Sequence, residues 1–246
     1  MRALRPDTKW TQDAIDALAV EDHFRLRGTD TTRLDTLVDA AFAFTLTMLV
    51  ITFDGVPNSF DEIIDGLLHL PALVVSFAVL MMFWFGHRKW SRRYGIEDAA
   101  TIMASVSLVF VLLVYIYPLR LIFEGMFTFL SGGRLPWTLN FTSFAQVRGF
   151  FAFYAAGFLA MSTLMCALYF FAKRKADDLL LDSFERLETQ FEFHRWLAAI
   201  VFSILSMLIA LFIPIQFVSM SGFIFFGLFG YTAMVARQHK KNIAAL

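Results

Sequence analysis

Charged side chains stand directly before the first long apolar run of this 246-residue chain. Arg33 and Asp39 are separated by about 600° of rotation around a helix, so their side chains do not face each other. Asp35 and Asp39 lie one helical turn apart, a spacing at which like charges repel weakly. Neither Arg33 nor Asp39 is therefore satisfied by its own helix, and each needs a partner from another helix or from water.

A second polar group, Trp84 and His87, follows the second apolar run. Where two consecutive runs cross a membrane, the end of the second returns to the depth at which the first began. We therefore predict a network of Arg33, Asp39, Trp84 and His87 at the cytoplasmic boundary. Ionisable groups at such a boundary often indicate function, but a topological anchor for the first span explains the same residues equally well.

The composition excludes an ordinary soluble domain. The chain is 58% hydrophobic and 17% charged, contains 30 phenylalanines, and has a mean hydropathy of +0.63. Soluble domains are typically about 45–50% apolar and about 25% charged. The single cysteine, Cys166, lies in an apolar run, so neither a disulfide framework nor a thiolate metal site is expected. The formal net charge of zero gives no reason to expect nucleic acid as a partner.

A spanning helix needs roughly 20 mostly apolar residues, and continuous apolar runs favour helices over alternating strands. We predict an all-α integral membrane protein with six transmembrane helices. The membrane domain covers residues 33–241, preceded by a cytoplasmic segment at 1–32 and followed by a tail at 242–246. The spans are predicted at about 33–54, 67–87, 99–123, 147–173, 194–213 and 217–237.

The distribution of Lys and Arg orients these six spans. All but three of the 21 basic residues fall on one side, and the exceptions are Arg120, Arg134 and Arg148. Basic residues are retained in the cytoplasm, so both termini are predicted to be cytoplasmic. The polar N-terminus has no apolar segment typical of a secretory signal. We expect a multi-pass protein of the plasma membrane.

Two cytoplasmic segments lie outside the predicted spans. In the leader, Trp10, Ile15 and Leu18 suit one face of a short amphipathic helix, although a loosely ordered leader fits equally well. Residues 173–195 are predicted to form a helix that continues from the fourth span and leads into the fifth. Its carboxylates are expected on a solvated face; they are Glu185, Glu188 and Glu192.

The first charged group resembles the signature of a known family. Arg33 and Asp39 match, in identity and spacing, the Arg, three residues and Phe-Ser-Asp of the prokaryotic, six-helix branch of the transmembrane protein 175 family of potassium channels. Leu37 and Val38 replace the Phe and Ser of that signature. Loss of the Ser hydroxyl leaves the cytoplasmic network one hydrogen-bonding group short.

Two further features are similar to the same family. Trp84-Phe-Gly-His87 resembles its Trp-x-x-His at the end of the second helix, and Pro118 in the third span fits its pattern. The resemblance covers most of the chain in its six-span layout. The specific motifs lie in the first half.

The resemblance implies a homotetramer whose first helices, one from each of four subunits, line a central pore. The narrowest point in the family is a bulky apolar residue five positions after the motif Asp, which is Phe44 here. A Thr eight positions after that Asp is linked to potassium selectivity, and Thr47 matches it. The implied ligand is a permeant monovalent cation, K⁺, with no cofactor, no metal site and no catalytic residue.

The residues of the first span agree in part. A 3–4–3 spacing separates Phe44, Thr47, Ile51 and Asp54, and Ala40 lies one turn before them. On a helix these five residues form one broad stripe, so all five are candidate pore-lining residues. A ring of Phe44 would be a hydrophobic constriction, and a ring of Asp54 would concentrate cations. Other interpretations remain open. Phenylalanine often faces lipid, threonine often bonds its own helix, and Asp54 fits an ordinary loop carboxylate.

Three hypotheses follow, of which a cation-selective, potassium-conducting channel is the first. A small-solute transporter would need polar groups at the membrane midplane and broken helices, which the spans contain sparsely. A non-conducting membrane scaffold is favoured by the bulk of Phe44. No enzyme motif for a metalloprotease, nucleotide-binding loop or serine hydrolase occurs, and His69 and His194 have no metal-ligand spacing.

Overall fold

The computed structural model describes residues 10–50 and 58–243, with side chains as far as His239. Within that part the chain is almost entirely helical, apart from one antiparallel hairpin of β1 (Val20–Glu21) and β2 (Phe24–Arg25). The helices are α1 (Gln12–Asp16), α2 (Arg33–Val50), α3 (Phe60–Leu68), α4 (Leu70–Tyr94), α5 (Ala99–Leu130), α6 (Phe144–Arg174), α7 (Ser183–Phe212) and α8 (Met220–Ile243), the last preceded by a 3₁₀ turn at Ile215–Phe217.

Among the residues that the structure describes, five helical segments are long and apolar enough to cross a membrane. They are Leu70–Tyr94, Ala99–Leu130, Phe144–Arg174, Ser183–Phe212 and Ile215–His239. The chain is therefore a multi-pass membrane protein, as its composition predicted. Helix α2 has 18 residues and carries Arg33, Asp35 and Asp39 in its first two turns. Its membrane crossing, and with it the count of six, stays a prediction.

Spanning helices run past their predicted boundaries at several ends. α4 continues to Tyr94, α5 continues to Leu130 through Pro118, and α7 begins at Ser183. A 30-residue helix is about 45 Å long, whereas the hydrocarbon core is about 30 Å thick. The ends of these helices therefore project beyond the hydrocarbon. We call the end of the bundle that carries the basic residues of α4 the inner end, and the opposite end the outer end.

The prediction of one cytoplasmic helix continuing from the fourth span is wrong. α6 ends at Arg174, and α7 begins at Ser183 after a turn. The Asp182 carboxylate accepts a hydrogen bond from the Glu185 N–H while the Glu185 carboxylate accepts one from the Asp182 N–H, a reciprocal cap that starts a new helix. Burial opposes ionisation of Asp182, but hydrogen bonds from the Glu185 N–H and the Arg25 guanidinium outweigh it and lower the pKa of this carboxyl.

The carboxylates of α7 are not on a solvated face, contrary to the prediction. Glu185 and Glu192 are both fully buried. The Lys89 ammonium lies 2.6 Å from Glu192 Oε1, and the Arg93 guanidinium lies 3.2 Å from Glu188 Oε2. The sequence did not reveal these two pairs because Lys89 and Arg93 lie on α4, about 100 residues earlier than their partners. These pairs hold α4 against α7 at the inner end.

The described part of the N-terminal segment, residues 10–32, packs on the same inner end. Of the amphipathic helix that was one alternative for it, only Gln12–Asp16 forms, with Ile15 buried. Phe24 is fully buried, with its ring edge-on to Tyr94 at 5.6 Å between centroids and the Arg93 guanidinium 4.4 Å from its centre. The segment is therefore part of the folded core and not a loose leader.

A buried ion pair fixes the segment. Arg27 Nη2 lies 2.8 Å from Glu185 Oε2, both side chains are fully inaccessible, and Arg27 Nε donates to the Leu179 carbonyl at 2.8 Å. Gly28 then passes so close to α4 that a Cβ on it would lie 2.2 Å from the Ser91 carbonyl oxygen. Only glycine fits at this crossing.

Replacing Arg27 by Leu should lower the free energy of unfolding by about 3–5 kcal/mol, because Glu185 would stay buried without its cation. The control is Arg92→Ala, which removes a partly exposed pair with Glu21 and should cost less than about 1 kcal/mol. Circular dichroism during an SDS titration of the micellar protein measures both. Equal effects would mean that the buried pair does not secure the segment.

Candidate functional site

Helix α2 turns one side toward the rest of the chain and leaves the opposite side uncovered. The uncovered side, which we call the open face, carries Leu37, Ala40, Phe44 and Thr47, all of them exposed. Phe44 is 56% exposed and Leu37 is 50% exposed. Because their 3–4–3 spacing returns to one side of a helix, the open face is a continuous stripe.

The other side of α2 packs against α4 and α5. Val38, Phe42, Thr45 and Leu49 lie there, each at most 1% exposed. Thr45 satisfies its hydroxyl by donating to the Ala41 carbonyl at 2.7 Å. Val38 occupies the Ser position of the family signature, and its place in the apolar core explains why valine is accommodated there.

Two hydrogen bonds connect α2 to α4, and we call this contact the α2–α4 seam. Trp84 Nε1 donates to Asp39 Oδ1 at 2.7 Å, and the Arg88 guanidinium lies 5.3 Å from the centre of the Trp84 ring. Nearer the inner end, Ser91 Oγ donates to Asp35 Oδ1 at 2.6 Å. Because the two helices are antiparallel, the earlier residue of α2, Asp35, pairs with the later residue of α4, Ser91.

Within one chain, the four residues of the predicted network do not all contact one another. Asp39 meets Trp84, but His87 lies 3.0 Å from Ser105 Oγ on α5 and is 2% exposed. His87 follows Trp84 by three residues, which rotates it by about 60° and turns it toward α5. The Arg33 side chain is exposed, and no hydrogen bond or ion pair joins it to another residue of ranges 10–50 and 58–243.

Asp35 was missed as a structural residue because the sequence suggested only its repulsion from Asp39. Thr32 Oγ1 accepts a hydrogen bond from the Asp35 N–H at 3.1 Å, and Asp35 Oδ2 accepts one from the Thr32 N–H at 3.2 Å. This reciprocal arrangement is a capping box, with Asp in place of the usual Glu. The Thr-x-x-Asp spacing was the signal that could have revealed it.

A buried acid at the outer end was also missed. Glu124 is 1% exposed; its Oε1 lies 2.8 Å from Arg120 Nε and 3.0 Å from His69 Nδ1, and its Oε2 accepts from Thr138 Oγ1 at 3.0 Å. The one-turn spacing of Arg120 and Glu124 was visible in the sequence, whereas the arrival of His69 and Thr138 required the fold. The cluster fastens the start of α4 and the α5–α6 loop to α5.

On the open face, Thr47 donates its hydroxyl proton to the Ala43 carbonyl at 2.9 Å. The lone pairs of Thr47 Oγ1 therefore remain available as acceptors. Of the candidate pore-lining residues, Ile51 and Asp54 lie outside the described residues. Ranges 10–50 and 58–243 contain no cluster of three or more His, Cys, Asp or Glu side chains that could hold a metal ion.

Residues 33–118 match the profile of the family described as the endosomal/lysosomal potassium channel TMEM175. This stretch is a TMEM175 family region. It contains Arg33, Asp39, Trp84, His87 and Pro118, the residues on which the resemblance was recognised, so that prediction is confirmed.

Three further comparisons cover most of the chain. A potassium channel of Marivirga tractuosa is 26% identical over 217 residues, which cover 85% of this chain and 87% of that protein. The crystal structure of a variant of the potassium channel MtTMEM175, in complex with a nanobody–MBP fusion protein, has a TM-score of 0.78 at 24% identity and covers 91% of this chain and 100% of that one. A lysosomal potassium-selective TMEM175 homologue from Chamaesiphon minutus has a TM-score of 0.56 at 20% identity, covering 82% and 95%. The two structures establish a shared fold.

The Trp84–Asp39 contact should carry a coupling energy of about 0.5–1.5 kcal/mol in a double-mutant cycle of Trp84→Phe with Asp39→Ala, because one charge-assisted hydrogen bond at a partly exposed site is lost. The free energy of unfolding is measured in detergent micelles for the wild type, the two single variants and the double variant. Asp39→Ala with Ser105→Ala is the control cycle and should be additive within about 0.5 kcal/mol. A coupling no larger than that of the control would contradict the contact.

Proposed function

We propose that this chain is one subunit of a channel that conducts K⁺ passively across the plasma membrane. The observation that carries the proposal is the open face of α2, where Phe44 and Thr47 are exposed although the opposite side of the helix is buried. The relatives point to the same ion, since the curated relative and both structural neighbours are described as potassium channels.

A single open face cannot enclose a conduction path, so the working unit is proposed to be a homotetramer with four α2 helices around the axis. α2 is then the first of six spans, and both termini are cytoplasmic. The small side chain of Ala40 permits close approach of the helices near the inner end. Arg33 lies about one turn before Leu37 on the same side, so a neighbouring subunit can supply the partner that its own chain does not.

Phe44 is proposed as the narrowest point of the pore. Four phenyl rings at one level form an apolar constriction that excludes water when closed, and ions cannot cross a dry apolar segment. The constriction is held from behind by Phe42 and Leu49, which are buried against α4 and α5. The α2–α4 seam supports the same helix at its cytoplasmic end, and His87 supports it indirectly by fixing α4 to α5.

Thr47 is proposed as the layer that prefers K⁺. Its hydroxyl proton is used by the Ala43 carbonyl, so the oxygen can offer only lone pairs to the pore. A ring of such oxygens can replace part of the hydration shell of a cation and offers nothing comparable to an anion. Further outward, Ile51 would continue the lining and Asp54 would raise the local concentration of cations.

A second function, a non-conducting membrane scaffold, is favoured by one observation. Phe44 is large and 56% exposed, so four copies could form a permanently sealed plug. Potassium flux through the reconstituted wild-type protein distinguishes the two, because a sealed ring passes no ions until Phe44 is made small.

Phe44→Ala should raise the potassium flux into liposomes by about tenfold or more, because a wider, hydrated constriction removes a barrier of at least about 1.4 kcal/mol. The measurement is the rate of K⁺ uptake down an imposed gradient. Phe110→Ala on α5 is the matched control, since Phe110 is 68% exposed but lies on another helix, and it should leave the flux unchanged. Equal rates for wild type and Phe44→Ala would rule out the pore assignment.

Thr47→Ala should reduce the preference for K⁺ over Na⁺ by roughly fivefold, since the cation loses ligands worth about 1 kcal/mol. Reversal potentials in planar bilayers measure the preference. Thr163→Ala is the control, because Thr163 is also exposed and donates in the same way to the Leu159 carbonyl, but on α6. Selectivity that survives in Thr47→Ala would remove Thr47 from the selectivity layer.

A further inference from the structure

A cavity of about 490 Å³ lies between α4, α5, α6 and α8 in the outer half of the bundle. Part of its wall is formed by Val79, Ile122, Tyr154 and Phe158, which are at most 7% exposed. Trp137, on the loop between α5 and α6, lines its outward side and is 39% exposed. The space is an inlet among four helices of one chain, bounded by both buried and exposed side chains.

The lining of this cavity selects for hydrocarbon. Apart from Ser219, every lining residue is aliphatic, aromatic, methionine or glycine. A polar or charged ligand would lose its hydration here without gaining hydrogen bonds, which costs several kcal/mol for each group. Apolar cavities likewise do not hold water well. The volume lies within the range of about 300–1,000 Å³ that is usual for small-ligand sites.

The dimensions argue against a helix from a second copy. An α-helix is about 10–12 Å wide and rises 5.4 Å per turn, so one turn with its side chains occupies roughly 420–610 Å³. The cavity therefore has room for about one turn, whereas a spanning helix has five or six. A flexible chain of methylene groups fills a narrow, irregular inlet without this limitation.

We propose that the cavity binds one acyl chain of a membrane phospholipid, which enters from the outer leaflet past Trp137. The cavity walls belong to membrane-spanning helices, so the medium at its mouth is lipid, and phospholipid supplies the most abundant hydrocarbon chain there. Trp137 is suited to the mouth because tryptophan favours the headgroup level. The bound chain fills the space between α8, which packs chiefly on α7, and the walls formed by α4 and α5.

Two glycines of α8 provide a matched pair of variants. A Cβ on Gly222 would lie 3.6 Å from Phe151, in ordinary contact at the cavity wall, whereas a Cβ on Gly230 would meet nothing within 4 Å. Gly222→Leu therefore directs a branched side chain into the cavity, and Gly230→Leu makes the same change elsewhere on the same helix. Ala78→Leu fills the cavity from the opposite wall on α4 and guards against a folding defect specific to α8.

The experiment uses the full chain in phosphatidylcholine liposomes containing a phosphatidylcholine with a photoactivatable diazirine at the end of one acyl chain. After illumination, mass spectrometry should find label on peptides that carry Met126 and Phe151. Gly222→Leu and Ala78→Leu should each reduce this label by about tenfold, because the chain loses contacts equivalent to about two methylenes. Gly230→Leu should match wild type.

Label that persists in both filled variants would overturn the proposal. Cross-links from these positions to a second copy, in place of lipid, would also overturn it by showing that a neighbouring subunit occupies the space. Elution as one sharp peak in gel filtration confirms that each variant is folded before it is compared. The readout needs no ion flux, so its result is independent of the channel proposal.

Discussion

The rotation of α2 about its own axis is the constraint on which the rest of the proposed site depends. Val38, Phe42 and Leu49 fit into the groove between α4 and α5. In a bilayer such a fit stabilises through close packing, because lipid is as apolar as the protein core. Turning α2 by one residue, or 100°, would leave these spaces unfilled and would bury Phe44 where no space exists. The open face is therefore defined by what packs behind it.

Polar contacts secure that rotation at the inner end. Asp35 and Asp39 each accept a hydrogen bond from α4, so α2 can neither turn nor slide without breaking one of them. α4 is in turn held by α7 through two ion pairs, Lys89 with Glu192 and Arg93 with Glu188. Charges far from the open face thus determine its position, through one chain of packed helices.

The open face of α2 and the outer cavity differ in shape, and the difference indicates different occupants. The open face of α2 is convex, a single helix surface that another helix can meet side by side. The outer cavity is concave and partly lined by buried side chains, so a rigid helix does not fit into it but a flexible chain does. Both surfaces are uncovered in one chain for the same reason. α2 packs on α4 and α5 with its opposite side, and α8, at the cavity, packs chiefly on α7.

Much of the architecture was determined by the sequence alone. Apolar runs of about 20 residues must become helices in lipid, since unpaired backbone groups are too costly there. For that reason five of the predicted spans reappear as long apolar helices. The family region was recognisable because Arg33, Asp39, Trp84 and His87 occur at fixed spacing in the sequence.

Only the tertiary structure decided which of those residues meet. Asp39 accepts a hydrogen bond from Trp84, and His87 lies against Ser105. At the outer end, Glu124 lies within 3.0 Å of His69. Such partners are separated by tens of residues, and their meeting depends on the rotation and crossing of helices. Apolar composition does not encode these quantities, because in lipid every side of an apolar helix is equally acceptable until specific packing selects one.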